Sequence, residues 1–146
     1  MRGTKVVSEY YGWMREAGTS RADAMRMEGL RDRTKQFALR IIRMFAALPR
    51  TTQAQVLGKQ VLRAGTSVAA NFREASRART NAEFVAKLGV VQQELDETLL
   101  WLELLIDSGI VKEKLLAALI QEANELMKIM VAAIKRTPSE RSKRLA

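Results

Sequence analysis

Four stretches of this chain place apolar residues three, four and seven apart, and only a few residues separate one stretch from the next. That period is the one at which an α-helix returns to the same face. Each stretch therefore carries an apolar stripe that has to be buried against its neighbours. In the first, about residues 30–48, the stripe is Leu30, Phe37, Ile41, Met44, Phe45 and Leu48, and Pro49 ends it because proline lacks the N–H a continuing helix needs. The second, about 52–77, starts after Thr51 or Thr52 as N-cap and carries Leu57, Val61, Ala64, Val68, Phe72 and Ala75. Gly65 inside it costs about 1 kcal/mol relative to alanine, so a close helix–helix approach at that point is the expected compensation. The third, about 81–108, opens with Thr80-Asn81-Ala82-Glu83, a capping-box sequence. It continues with Phe84, Leu88, Val91, Leu95, Leu102 and Leu105 and stops at Gly109. The fourth, about 111–136, carries Leu116, Leu119, Ala123, Met127, Met130 and Ile134.

Short links make consecutive helices antiparallel neighbours. The expected fold is an all-α, antiparallel up-down-up-down four-helix bundle over residues 30–136. Residues 1–29 lack sustained periodicity and are read as an N-terminal extension in which Ser20-Arg21-Ala22-Asp23 caps at most a short helix. Residues 137–146 form a basic tail containing Arg141, Lys143 and Arg144.

Composition removes most chemistry from such a bundle. Among 146 residues there is no histidine and no cysteine, so imidazole bases, imidazole or thiolate metal ligands and thiol nucleophiles are all missing. Glu94 and Glu97 lie three apart, but a di-metal bundle site also needs Glu-x-x-His pairs. The glycines at 65, 89 and 109 are isolated, which excludes a phosphate loop. No enzymatic activity, metal or cofactor is expected. The N-terminus has no apolar run longer than Val6-Val7, and the most apolar stretch, Leu99 to Ile110, contains Glu103 and Asp107 and falls short of the roughly 20 residues that span a bilayer. The expectation is a cytoplasmic protein without a membrane partner.

The formal charge of +9 is unevenly placed. Residues 30–48 hold five basic and one acidic side chain, and residues 49–79 hold six and one. Residues 80–109 reverse this, with one basic and six acidic. A basic first half points to a polyanion, RNA or DNA, bound through phosphates without sequence preference. The candidate contacts are Arg31, Arg33, Lys35, Arg40, Arg43, Arg73, Arg77 and Arg79, with Arg50, Lys59 and Arg63 as further basic positions. Tyr10, Tyr11 and Trp13 are candidates for stacking on bases or for docking on the chain's own bundle.

A second constellation is polar. Gln60, Arg63, Ser67, Asn71 and Glu74 form a stripe beside the apolar face of the second helix, and Glu83, Lys87, Glu94, Glu97 and Trp101 form its counterpart on the third. Two such stripes either bind a ligand or fix a helix register or subunit interface. In the second case Arg63 and Arg73 pair with Glu94 or Glu97, while Ser67 and Asn71 bond to nearby backbone. Trp101 beside carboxylates also suits a partly buried protein contact.

The run from Val61 to Ile110 resembles the bacterial 23S rRNA intervening-sequence protein, or S23, family. The resemblance rests on Arg63, Thr66-Ser67-Val68, Asn71-Phe72-Arg73-Glu74-Ala75, Arg77, Glu83-Phe84, Lys87-Leu88-Gly89, Glu94, Asp96-Glu97-Thr98 and Trp101-Leu102-Glu103-Leu104-Leu105, and with the flanking helices it covers about residues 30–135. Phe72, Ala69 and Gln92-Gln93 depart from residues common in the family. The resemblance implies a bundle that assembles into a homo-oligomer, typically a pentameric barrel. Through a related group, the accessory variability determinants of diversity-generating retroelements, it also implies nucleic acid and a reverse transcriptase as candidate partners. The alternative is a structural or protein-interaction module that does not bind nucleic acid.

Overall fold

The computed structural model describes residues 21–139. Tyr10, Tyr11, Trp13, Arg141, Lys143 and Arg144 lie outside the described residues. Within them four helices run in order: α1 (Arg21–Ala46), α2 (Thr52–Ser76), α3 (Asn81–Asp107) and α4 (Glu113–Arg136). They are joined by links of four or five residues. Consecutive helices pack against each other, α2 with α3 most extensively, and α4 returns to touch α1 along a much slighter seam. This is the up-down four-helix bundle that the apolar stripes predict.

The helix ends follow local chemistry. Thr51 accepts a hydrogen bond from the Ala54 N–H at 3.3 Å, and Thr80 accepts one from the Glu83 N–H at 3.1 Å. The Glu83 carboxylate takes the N–H of Arg79 at 3.1 Å, one residue before the N–H a capping box would use. At the end of α3, Gly109 adopts φ +78, a backbone conformation that strains residues with a side chain. It allows Ile110 N–H to reach Leu105 C=O at 3.0 Å and Gly109 N–H to reach Ile106 C=O at 2.9 Å, a Schellman motif.

One boundary differs from expectation. The first helix begins at Arg21, nine residues before the predicted start, so residues 21–29 are helical rather than extension. Met27 is the reason: it is only 6% exposed, three residues before Leu30 and seven before buried Thr34, and it carries the inward stripe back past Leu30. At the other end α1 stops at Ala46, leaving buried Leu48 in the turn before Pro49.

The core is built from the predicted stripes. Phe37, Ile41, Val61, Val68, Phe72, Leu88, Val91, Leu95, Leu102, Leu105, Ala123 and Met130 are fully buried. Leu126, absent from the predicted set, joins them, while Met44, Phe45, Leu57, Met127 and Ile134 pack at the core's edge. The buried hydroxyls are satisfied within their own helices: Thr34 donates to Arg31 C=O, Ser76 to Arg73 C=O and Thr98 to Glu94 C=O. Asn81 donates to Pro138 C=O at 3.2 Å, tying the end of α4 to the start of α3.

Gly58 and Gly65, one heptad apart on α2, bring α1 and α2 together. A Cβ on Gly65 would stand 2.7 Å from Ile41 Cγ1 and 2.9 Å from Cγ2, and one on Gly58 would stand 2.6 Å from Leu48 Cδ1. The close approach expected at Gly65 is present, and Gly58 extends it. Gly65 meets the branched stem of an isoleucine, which is stiff at χ1, whereas Gly58 meets the far end of a leucine. Gly65→Ala should therefore lower stability by up to about 2 kcal/mol, as overpacking of about 1–3 kcal/mol is offset in part by the helix-propensity gain of about 1 kcal/mol. Gly58→Ala should cost less, and Gly29→Ala, where a new Cβ meets nothing within 4 Å, should stabilise. Urea unfolding of the three variants checks the order.

Candidate nucleic-acid interface

The α2–α3 seam gathers the two polar stripes. The Arg63 guanidinium donates to Glu97 Oε1, and its Nη1 lies 3.5 Å from Glu94 Oε2, close enough for an ion pair but not a hydrogen bond. That Glu94 oxygen is buried and has no hydrogen-bond donor among the described residues. Trp101 Nε1 donates to Glu97 Oε1 at 3.4 Å. Further along, Lys87 of α3 donates to Glu74 Oε2 of α2 at 2.6 Å. Ser67 and Asn71 bond to the carbonyls of Arg63 and Ser67, at 2.7 and 2.9 Å. The stripes thus act on each other and on the backbone. This matches the expected pairing of Arg63 and the expected backbone bonds of Ser67 and Asn71.

Arg73 does not follow that expectation. Instead of meeting Glu94 or Glu97, it lines a groove on the α1 side of α2, because a residue one position before Glu74 is turned about 100° away from it. The groove has a volume of about 410 Å³ and is lined by Arg31 and Lys35 of α1 and by Ala69, Ala70, Arg73, Glu74 and Arg77 of α2. Ile41 lies level with Gly65 and the two helices run in opposite directions. This register brings Arg31 to the level of the Arg73–Arg77 turn and Lys35 to that of Ala70. The two alanines leave room between the charged walls. Four basic residues and one acidic residue, Glu74, line this groove, and the Glu74 carboxylate is held by Lys87 of α3.

The other predicted basic residues are placed elsewhere. Arg33 is committed to α4, with Nη2 2.5 Å from Glu122 Oε1 and 2.6 Å from Glu125 Oε2. The hydrogen bond it donates to Glu122, more than any other contact, holds its pKa above the ordinary value. Arg40 lies seven residues after Arg33 on the same face of α1 and away from the groove. Arg43 is exposed toward the other end of α1, and Arg79 is exposed in the link between α2 and α3. Sequence reasoning missed the partners of Arg33, although Glu122 and Glu125 share one face of a helix at a spacing of three. It also missed the part Ala69 and Ala70 play in opening the groove. Among the described residues no group of three or more metal-type ligands converges, and no helix is long and apolar enough to cross a membrane.

The outer face of α3 is unusual. Ala86, Val90, Gln93, Glu97, Leu100 and Leu104 recur at alternating spacings of four and three, opposite the buried stripe. Leu100 is 48% and Leu104 36% exposed, with half-buried Trp101 beside them. Glu97 is the only charged residue in the stripe, and Arg63 already holds it.

Comparison with known proteins gives a consistent picture. The family model described as 23S rRNA-intervening sequence protein matches residues 30–132. A solved protein from Bacteroides thetaiotaomicron, described as of unknown function and from the S23 ribosomal protein family, is 35% identical. The match covers 72% of this chain and 97% of that one, with a TM-score of 0.68. No curated protein matches.

The Arg63 hydrogen bond, followed by that of Trp101, holds the Glu97 carboxyl below its ordinary pKa. A depressed carboxylate stabilises the fold above its unfolded value, about 4.3, and loses that contribution as pH falls through its folded value. Glu97→Gln should therefore lower stability slightly at pH 7, by less than about 1 kcal/mol for so exposed a pair. The gap between variant and wild type should close on acidification, which thermal melts from neutral to acid pH will show.

Proposed function

Because this chain belongs to the 23S rRNA-intervening sequence protein family, whose solved Bacteroides member is itself of unknown function, its activity has to be argued from its own residues, and we propose that it is a non-enzymatic, homo-oligomeric bundle that binds RNA or DNA through the phosphate backbone. One observation carries this proposal: Arg31, Lys35, Arg73 and Arg77 line one groove between α1 and α2. Phosphodiester contacts need accessible positive charge and no base-reading element. The lining holds no aromatic side chain to stack on bases, so the recognition it offers is of charge and spacing.

A second surface supports the homo-oligomeric part. The outer stripe of α3, with Leu100, Leu104 and Trp101, repeats the four-three spacing by which helices pack on helices. It lies on the acidic helix of a chain whose α1 and α2 are basic. A second copy offers both the apolar surface and the opposite charge that this face lacks. Should the groove bind nothing, assembly through α3 remains as the alternative, a protein-interaction module.

Anisotropy with short labelled RNA and DNA tests the groove. Four neutralised phosphates predict an affinity loss of roughly 100-fold between about 50 and 200 mM salt, and Arg73→Gln with Arg77→Gln should flatten the log–log slope by about 0.7–0.9 for each phosphate no longer neutralised. No binding at about 50 mM salt overturns the nucleic-acid assignment. Light scattering tests the assembly: Leu100→Glu with Leu104→Glu should reduce the oligomer to smaller species. A wild-type protein that is monomeric at micromolar concentration overturns it.

A further inference from the structure

We infer that Lys87, on a different helix from every residue that lines the groove, sets how strongly the groove takes a phosphate backbone, by holding the Glu74 carboxylate out of it. This rests on the groove being the phosphate-binding surface.

Glu74 contributes to the lining of the α1–α2 groove and is also ion-paired, through Oε2, to Lys87 Nζ of α3 at 2.6 Å. Its side chain therefore straddles α2, with four cations on one side and one on the other. Both partners are substantially exposed, so the carboxylate is free to rotate wherever the stronger attraction lies. Released from Lys87, it would be drawn to the neighbouring guanidiniums of Arg73 and Arg77. It would then neutralise part of the groove and repel an incoming phosphate. With Lys87 in place, the carboxylate's charge is spent on the α3 side and the groove's net charge stays high. Lys87 is thus a positioning residue rather than a phosphate contact.

The reversed order of charges along the seam supports this. Arg63 of α2 reaches to acids on α3, whereas Glu74 of α2 reaches to the lone basic residue of α3. A helix with six acidic residues between positions 80 and 109 places its single cation opposite the only acidic residue of α2. Register alone would be secured by either pair. Placing the cation there also keeps the one carboxylate of α2 away from the groove.

A double-mutant cycle in the intact protein, read by anisotropy with a labelled single-stranded oligonucleotide at about 50 mM salt, tests the assignment. Glu74→Gln should tighten binding about 2- to 5-fold, and Lys87→Met should weaken it by a similar factor. The decisive variant is the double one: with Glu74 already neutral, Lys87→Met should change neither the affinity nor the salt slope, whereas in the wild-type background the released carboxylate should also flatten the slope. If Lys87→Met is silent in the wild-type background, or weakens binding and flattens the slope equally in both backgrounds, Lys87 is respectively irrelevant or a direct phosphate contact, and the inference fails while the groove stands. If wild-type protein binds no oligonucleotide, the groove assignment itself fails. Circular dichroism melts confirm that each variant is folded.

Discussion

The contact between α1 and the two glycines of α2 is the constraint from which the rest of this structure follows. With no Cβ at Gly58 or Gly65, the α2 backbone accepts Leu48, Phe45 and Ile41 at distances no other residue would permit. Each glycine weakens its own helix, and the gain is tertiary: Ile41 is fully buried against the backbone itself. Two such approaches a heptad apart fix both the separation of the helices and their register. A slip of one turn would set Ile41 against a side chain in place of bare backbone. The groove inherits that register, since Arg31 meets the Arg73–Arg77 turn only because Ile41 meets Gly65. By contrast, the seam between α1 and α4 is slight, and Arg33 bridges it with a fork of hydrogen bonds to Glu122 and Glu125.

Electrostatics works alongside packing, and the two sides of α2 use it in opposite ways. Toward α3, opposite charges meet: Arg63 with Glu94 and Glu97, Glu74 with Lys87. The Arg63–Glu97 and Lys87–Glu74 pairs are exposed and individually weak, but the reversed polarity of the two distinguishes the observed register from neighbouring ones. Toward α1, four cations gather on the groove wall, and the one acidic residue of the lining, Glu74, has its carboxylate on Lys87. Net charge alone does not separate these situations. The excess of positive charge over α1 and α2 and of negative charge over α3 partly cancels along the α2–α3 seam, and the remainder lies on the α1 side.

How far this is legible in the sequence depends on the range of the interaction. The stripes of α2 and α3 are readable because a helical period is a local pattern, as is the cost of Gly65. The backward extension of α1 is hidden because Met27 stands among arginines and acids and Gly29 follows it, so the inward stripe shows as single residues separated by polar ones. Sequence alone pairs Arg73 with the wrong neighbour because pairing depends on which flank of α2 faces α3. Spacing gives the angle between Arg73 and Glu74 but not the direction of the third helix. Arg33 and Glu122 are 89 residues apart, and nothing local connects them. The groove needs all of these facts at once: a register set by glycine, two small alanines and charges on two helices.

A groove of this kind also bears on stability. Cations crowded along two antiparallel helices repel one another, and each adds to the work of closing α1 onto α2. The fold tolerates this because the helices are already locked by apolar packing a few turns away at Gly58 and Gly65, where the charges have no say. On the proposed reading, a polyanion in the groove would offset the repulsion and bind only the assembled pair of helices, so that its binding free energy would add to that of folding. The same arrangement explains why the lone carboxylate is best kept on the far side of α2. Turned inward, Glu74 would relieve the repulsion internally and leave little for a ligand to gain. On the proposed reading, a structure that places Glu94, Glu97 and Glu74 in the α2–α3 seam and gathers cations beside α1 would be stabilised by a negatively charged partner in that groove.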